Sequence, residues 1–347
     1  MRCVTLFITL SIVAFATTSA QAAHAPARVS DLSSAEAVLR WINGYRAKPD
    51  PGGVPAAVRA LSGFGAFKDS ESAGVYVGFI AGVLAANPAK ADDLIVKMFP
   101  LPPQDQWALV RAIAYSGHPE WKRLLQKFAA RMPTRQVMIN RYLAGKLPTL
   151  EQITLDTKAG FMDTVRGYLT FGKPQEKAPK LEPSPDLLDT LWGYYFGTRA
   201  YSPIARIVSL LVLSKDRDNA DRLTIGSMAK YTLASNAARD AELLDLLKWS
   251  RAQQHPKELT PILDEVIEAA DTVDTAKLRR EAMASIEELK RKGPGYKRDI
   301  AWWGQVGQGA IGLGCVAAAA TGQIALGLPC VVGGAVGSAA LNFWGQP

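Results

Sequence analysis

The sequence predicts an all-α chain: an irregular α-solenoid or helical array in two lobes, followed by a C-terminal Gly/Ala-rich hydrophobic helical hairpin. Three observations carry that expectation. Apolar residues in the body recur at spacings of three and four, with no sustained alternation of period two. Prolines preceded by a capping or polar residue punctuate those stripes. The last 48 positions, 300–347, hold no Lys, Arg, Asp, Glu or His. Averaged over 347 residues, the chain is 48% hydrophobic, 21% charged and 8% aromatic, which excludes a disordered or collagen-like polymer.

The first segment, 1–22, reads as a secretory signal. Met1 and Arg2 precede an apolar run over 4–16, and Ala20 and Ala22 satisfy the small-residue rule for cleavage after Ala22. The apolar core is about 13 residues long, short of the roughly 20 that a helix needs to span a bilayer. Cleavage leaves 325 residues with a net charge of +7 and removes Cys3. Cys315 and Cys330 are then the only cysteines, in an export pathway where a disulfide forms and persists. The expected address is across the inner membrane, periplasmic or membrane-associated if the cell is Gram-negative.

The body is expected to be two helical lobes, 23–171 and 186–299, joined by a Pro-rich linker at 172–185. In the linker Pro174, Pro179, Pro183 and Pro185 alternate with charged residues, which favours extended backbone over a helix interior. Asn87-Pro88, Ser184-Pro185, Ser202-Pro203 and Thr260-Pro261 mark helix starts, and His118-Pro119 and His255-Pro256 occupy the same kind of place. Leu187, Leu188, Leu191, Trp192 and Tyr195 form one buried stripe; Leu243, Leu244, Leu246 and Leu247 with Trp249 form another. Residues 107–127 read as helix, turn, helix, and 231–240 as an elbow between helices. The count is roughly twelve to fourteen helices of about 10–18 residues. Trp192-Gly193-Tyr194-Tyr195 is similar to part of a tetratricopeptide first helix, and the helix pairs resemble HEAT or tetratricopeptide units. Residues 191–204 and 231–236 resemble segments of uncharacterised exported bacterial helical proteins, a likeness that implies a fold and no activity.

Catalytic motifs are sparse. His24, His118 and His255 are the only imidazoles, and their spacing suits neither a zinc quartet nor two ligands on one helix face. His118 and His255 sit before prolines at turns and read as structural. No nucleophile elbow, phosphate loop or dinucleotide fingerprint occurs, so no cofactor or metal is expected. The carboxylate pairs Asp92-Asp93, Glu265/Glu268 and Glu287-Glu288 read as solvated helix faces, with a carboxylate-dependent envelope hydrolase as the alternative. Trp192, Tyr195 and Phe196 read as core, whereas Tyr194 and Tyr201 are candidates for a binding groove. The modest charge does not point to nucleic acid.

The uncharged tail, 300–347, has room for two apolar helices and a turn. Ala310, Gly314 and Ala318, then Gly333 and Gly337, place small residues every four positions, the spacing of close-packed membrane helices. Cys315 and Cys330 lie symmetrically about a turn at 321–323, where a disulfide would clip the hairpin, the alternative being two buried thiols. Eleven glycines weaken both helix propensity and apolarity, so the hairpin either enters a membrane or packs on the body. The expected function is an exported, non-enzymatic helical-repeat protein that binds a protein or cell-envelope partner and associates with a membrane through 300–347. The alternatives are the hydrolase and a secreted effector or toxin with an inserting hairpin.

Overall fold

The computed structural model describes residues 32–152, 182–216, 219–253 and 257–272, together with Arg280 and Ala284. The tail, including Ala310, Gly314, Cys315, Ala318, Cys330, Gly333 and Gly337, the expected signal segment 1–22 and most of the expected linker 172–185 lie outside the described residues. All regular structure among the described residues is helical.

Among the described residues, seven α-helices lie within 32–152: α1 (Ala35–Tyr45), α2 (Val54–Gly63), α3 (Gly74–Ala86), α4 (Ala91–Met98), α5 (Gln106–Tyr115), α6 (Trp121–Phe128) and α7 (Gln136–Leu143). Five more lie within the described residues after 182: α8 (Pro185–Gly197), α9 (Ser202–Leu210), α10 (Ala220–Ala237), α11 (Ala241–Ala252) and α12 (Leu259–Asp271). Short 3-10 turns, such as Pro88–Lys90 and Leu211–Lys215, lead into or out of them.

The proline starts hold with shifts of register. Ser184 caps α8 by accepting the Leu187 N–H at 3.1 Å, with Pro185 in the first turn. Asn87-Pro88 opens a 3-10 turn ahead of α4, and α12 begins at Leu259, just before Thr260-Pro261. The stripe Leu187, Leu188, Leu191, Trp192 and Tyr195 is buried as expected. Two expectations need correction. Residues 231–237 are the last part of α10, so the elbow shrinks to 238–240. Trp249 is 62% exposed while Leu243 and Leu247 are buried. A residue two positions beyond Leu247 is turned by about 200° around the helix, to the opposite face.

Helices adjacent in sequence pack as in an array: α1 on α2, α5 on α6, α6 on α7, α10 on α11 and α11 on α12. Among the described residues the most extensive interface, however, joins α3 to α8, from either side of residues 153–181. A one-dimensional stack would confine each unit to its neighbours.

α3 reads GVYVGFIAGVLAA, with no charge, and every residue from Gly74 through Leu84 is buried. A helix apolar on all sides belongs at a centre, not on a surface. A Cβ at Gly78 would lie 2.0 Å from the Thr190 carbonyl oxygen, and one at Gly82 2.5 Å from that of Tyr194. On the facing helix, a Cβ at Gly193 would lie 2.0 Å from the Val75 oxygen, and one at Gly197 2.5 Å from that of Phe79. The two backbones therefore touch. Gly74 faces Asp186, Gly78 faces Thr190 and Gly82 faces Tyr194, so successive turns meet successive turns and the helices run parallel.

One continuous apolar core extends from Val38 to Ala270 around this pair. Trp41, Tyr45 and Phe79 meet edge to face within it, with centroids 4.9–5.6 Å apart. Trp192 anchors the far side, its indole N–H donating to Thr232 Oγ1 on α10 at 3.0 Å.

Candidate functional site

The two groove candidates go to different neighbours. Tyr194 is half-buried and its hydroxyl donates to the Ser116 carbonyl at 2.9 Å, which ties α8 to the turn between α5 and α6. That turn also needs Gly117, which sits at φ +64°. Tyr201, at the start of α9, is 42% exposed, with the Arg46 guanidinium 5.0 Å from its ring centroid.

Arg46, just past α1, organises this region. Its guanidinium also lies 4.4 Å from the Tyr195 ring centroid. It donates to the Thr198 carbonyl at 3.2 Å and to Glu242 Oε2 at 3.0 Å. Burial acts to lower its pKa, but Tyr195, Tyr201 and Glu242 outweigh burial and leave it raised. Tyr195 donates to Asp240 Oδ2 at 2.8 Å, and Asp240 caps α11 by accepting the Leu243 N–H at 3.1 Å. Burial, then the Asp240 charge, pushes the Tyr195 hydroxyl far above its ordinary value. Glu242 itself is largely exposed, and Trp249 follows two turns along the same helix, about 10 Å further on. Tyr201, Glu242, Asp245 and Trp249 thus supply an exposed aromatic and acidic face beside a guanidinium held in place.

The candidate carboxylates do not gather. On α4, Asp92 pairs with Lys127 at 2.9 Å and Asp93 with Lys97 at 2.7 Å. On α12, Glu265 contacts Lys230 and lies 3.7 Å from Lys215. Burial raises the Glu265 pKa, but the two lysines outweigh it and hold the carboxyl below its usual range. The Glu268 backbone carbonyl accepts from the Thr272 N–H at 3.0 Å. α4 packs on α2 and α12 on α10, so these acids serve different parts of the body. Glu287 and Glu288 lie outside the described residues.

His118 is a turn residue. Its Nδ1 accepts the Glu120 N–H at 3.0 Å, which leaves Nε2 to donate to the Pro88 carbonyl at 3.2 Å. His24 and His255 lie outside the described residues. Among the described residues, no three His, Cys, Asp or Glu side chains are grouped to hold a metal ion. Nor is any described helix long and apolar enough to cross a membrane.

One chemically distinctive cluster escapes the sequence reading. Arg111 on α5 lies 3.6 Å from Asp186, in the first turn of α8, and 4.8 Å from the Trp107 ring centroid. The rings of Tyr115 and Tyr142 meet edge to face at 6.4 Å beside the same guanidinium. Asp186 is pushed up to about 6, first by burial and then by Glu71 and Asp69, against the pull of Arg111. Its Oδ1 and the Arg111 Nε are both buried without a hydrogen-bond partner. The sequence shows Asp186 only as an acid in a helix first turn, where the dipole favours negative charge. Nothing local announces that Arg111 will face it.

Comparisons with protein-family models, with curated proteins and with solved structures each return no match.

Proposed function

We propose that the chain is an exported, non-enzymatic helical protein that binds a protein or cell-envelope partner and associates with a membrane through 300–347. The body is a helical array whose two lobes, 23–171 and 186–299, are joined through α3 and α8. Its partner-binding face is the one carrying Tyr201, Glu242 and Trp249.

The observation behind this reading is that Tyr201 and Trp249 are 42% and 62% exposed, Tyr201 beside the Arg46 guanidinium and Trp249 two turns along the helix from the carboxylate that Arg46 binds. Exposed Trp and Tyr on rigid helices are the residue types that dominate protein interfaces, because they bury much area with few rotors. Exposed Asp245, one turn from each of Glu242 and Trp249, suits a partner with Lys or Arg around an apolar centre. The hydrolase reading has less support, since Asp92, Asp93 and Glu265 are each engaged by lysine.

A photoactivatable phenylalanine analogue placed singly at positions 201, 249 and, as an outward control, 90 tests this in cells. A discrete adduct of the same mass is expected from 201 and 249 and not from 90. Adducts missing from both positions, or equal at all three, would contradict the assigned face.

A further inference from the structure

Residues 121–146 contain seven Lys or Arg and no Asp or Glu. They form α6, two 3-10 turns, α7 and the turn after it. α6 buries Leu124, Leu125 and Phe128, and α7 buries Ile139 and Tyr142; the two pack on each other and both on α5. The opposite face presents Lys122, Arg123, Gln126 and Lys127 from α6, with Val137, Asn140 and Arg141 from α7.

Some of these cations are engaged. Arg123 pairs with Glu120 at 2.7 Å, Lys127 with Asp92 at 2.9 Å, and Arg135 donates to the carbonyls of Pro103 and Gln104. Lys122 and Arg131 lie over the rings of Trp121 and Phe99, at 5.6 and 5.5 Å. Among the described residues, no carboxylate comes within ion-pair distance of Lys122, Arg131, Arg141 or Lys146. Amid them Val137 is 75% exposed, the most exposed large apolar side chain of the described body.

We infer that the α6–α7 face docks on the headgroups of an anionic phospholipid membrane. Cations on a broad, outward helix pair, four of them with no described carboxylate beside them, match a surface of many phosphates, and each basic side chain near such a surface contributes separately. An exposed valine among them enters the boundary between headgroups and acyl chains, as apolar residues of membrane-surface helices do. Nucleic acid would use the cations but meets Val137 chiefly with phosphates and sugars. This contact shares with the proposed function only a place beside a membrane.

The test is sedimentation of the full chain with vesicles of phosphatidylcholine alone, or with one-third phosphatidylglycerol. The anionic vesicles are expected to bind on the order of a hundredfold more tightly at low salt, an excess that shrinks as salt rises. The triple variant K122Q/R141Q/K146Q is expected to keep less than about a tenth of that excess. K48Q/K68Q/K257Q, which removes the same charge from other exposed positions, is expected to keep nearly all of it. An excess that survives the first triple, as it would if Lys290, Arg291 and Lys292 carried it, overturns the proposal. So does an equal loss in both triples, or tighter binding of an oligonucleotide or polyglutamate that the first triple abolishes. Attachment to phosphatidylcholine alone reports the uncharged segment, so its failure counts against the proposed function and not against this face.

Discussion

Gly78→Ala is expected to destabilise the protein by about 3 kcal/mol, although alanine is the better helix former. In a helix interior, alanine gains about 1 kcal/mol over glycine. Here the added Cβ would sit 2.0 Å from the Thr190 carbonyl oxygen, 2.7 Å from its carbon and 2.9 Å from its Cα. Those are backbone atoms of a helix and have no rotamer to move into. α3 and α8 would have to separate, loosening the reciprocal contacts at Gly82, Gly193 and Gly197. Overpacking that forces backbone shifts typically costs about 1–3 kcal/mol and occasionally more, and a clash with main chain belongs at the upper end. Gly44, in α1, has nothing within 4 Å of its Cβ position. Gly44→Ala is therefore expected to be neutral or to stabilise by up to about 1 kcal/mol. Urea denaturation of the two variants beside the parent checks the opposite signs. Equal effects would mean that propensity, and not close approach, governs position 78.

Asp186→Asn is expected to become progressively more stable than the parent as pH rises, by up to about 3 kcal/mol between pH 4 and pH 8. In the folded chain Asp186 titrates near 6, against an ordinary value of 3.8. Folding thus favours its protonated form. That contribution is fully present below the ordinary value and is lost as pH rises through about 6. Asparagine stays neutral throughout and loses nothing over the same window. Arg111 offsets burial only in part, because it stands 3.6 Å away and Asp69 and Glu71 oppose it. Denaturation of both proteins at pH 4, 6 and 8 gives the comparison. A stability difference that is flat across the series would show that Asp186 is ionised and well solvated throughout.

The local layer of this fold is legible in the sequence. Ser184-Pro185 marks a helix start because the hydroxyl caps and the proline needs no N–H there, and Leu187 to Tyr195 show which face turns inward. The part of the expected elbow that is helical, 231–237, holds Thr232, Ser235 and Asn236, residue types that favour turns. Inside α10 they are satisfied without ending it: Thr232 donates to the Met228 carbonyl, and Asn236 donates to that of Thr232. The long-range layer is harder to read. Gly74, Gly78 and Gly82, with Gly193 and Gly197, repeat every four residues, as do the small residues of the tail. That spacing in a charge-free segment announces a close helix partner but does not identify it. The candidate site divides the same way. Tyr201 is legible as an exposed aromatic, while its seat on Arg46 and the pairing of Arg111 with Asp186 depend on helices far apart in sequence.

The joining of both halves through α3 and α8 is tested most directly by native-state hydrogen exchange of the full chain. If the backbones are in contact, the amides of 76–84 and 188–196 belong to one cooperative unit. They are predicted to share the slowest exchange class in the parent and to lose protection together in Gly78→Ala. Exchange of α8 well ahead of α3 in the parent, or loss of protection confined to α3 in the variant, would contradict a shared core.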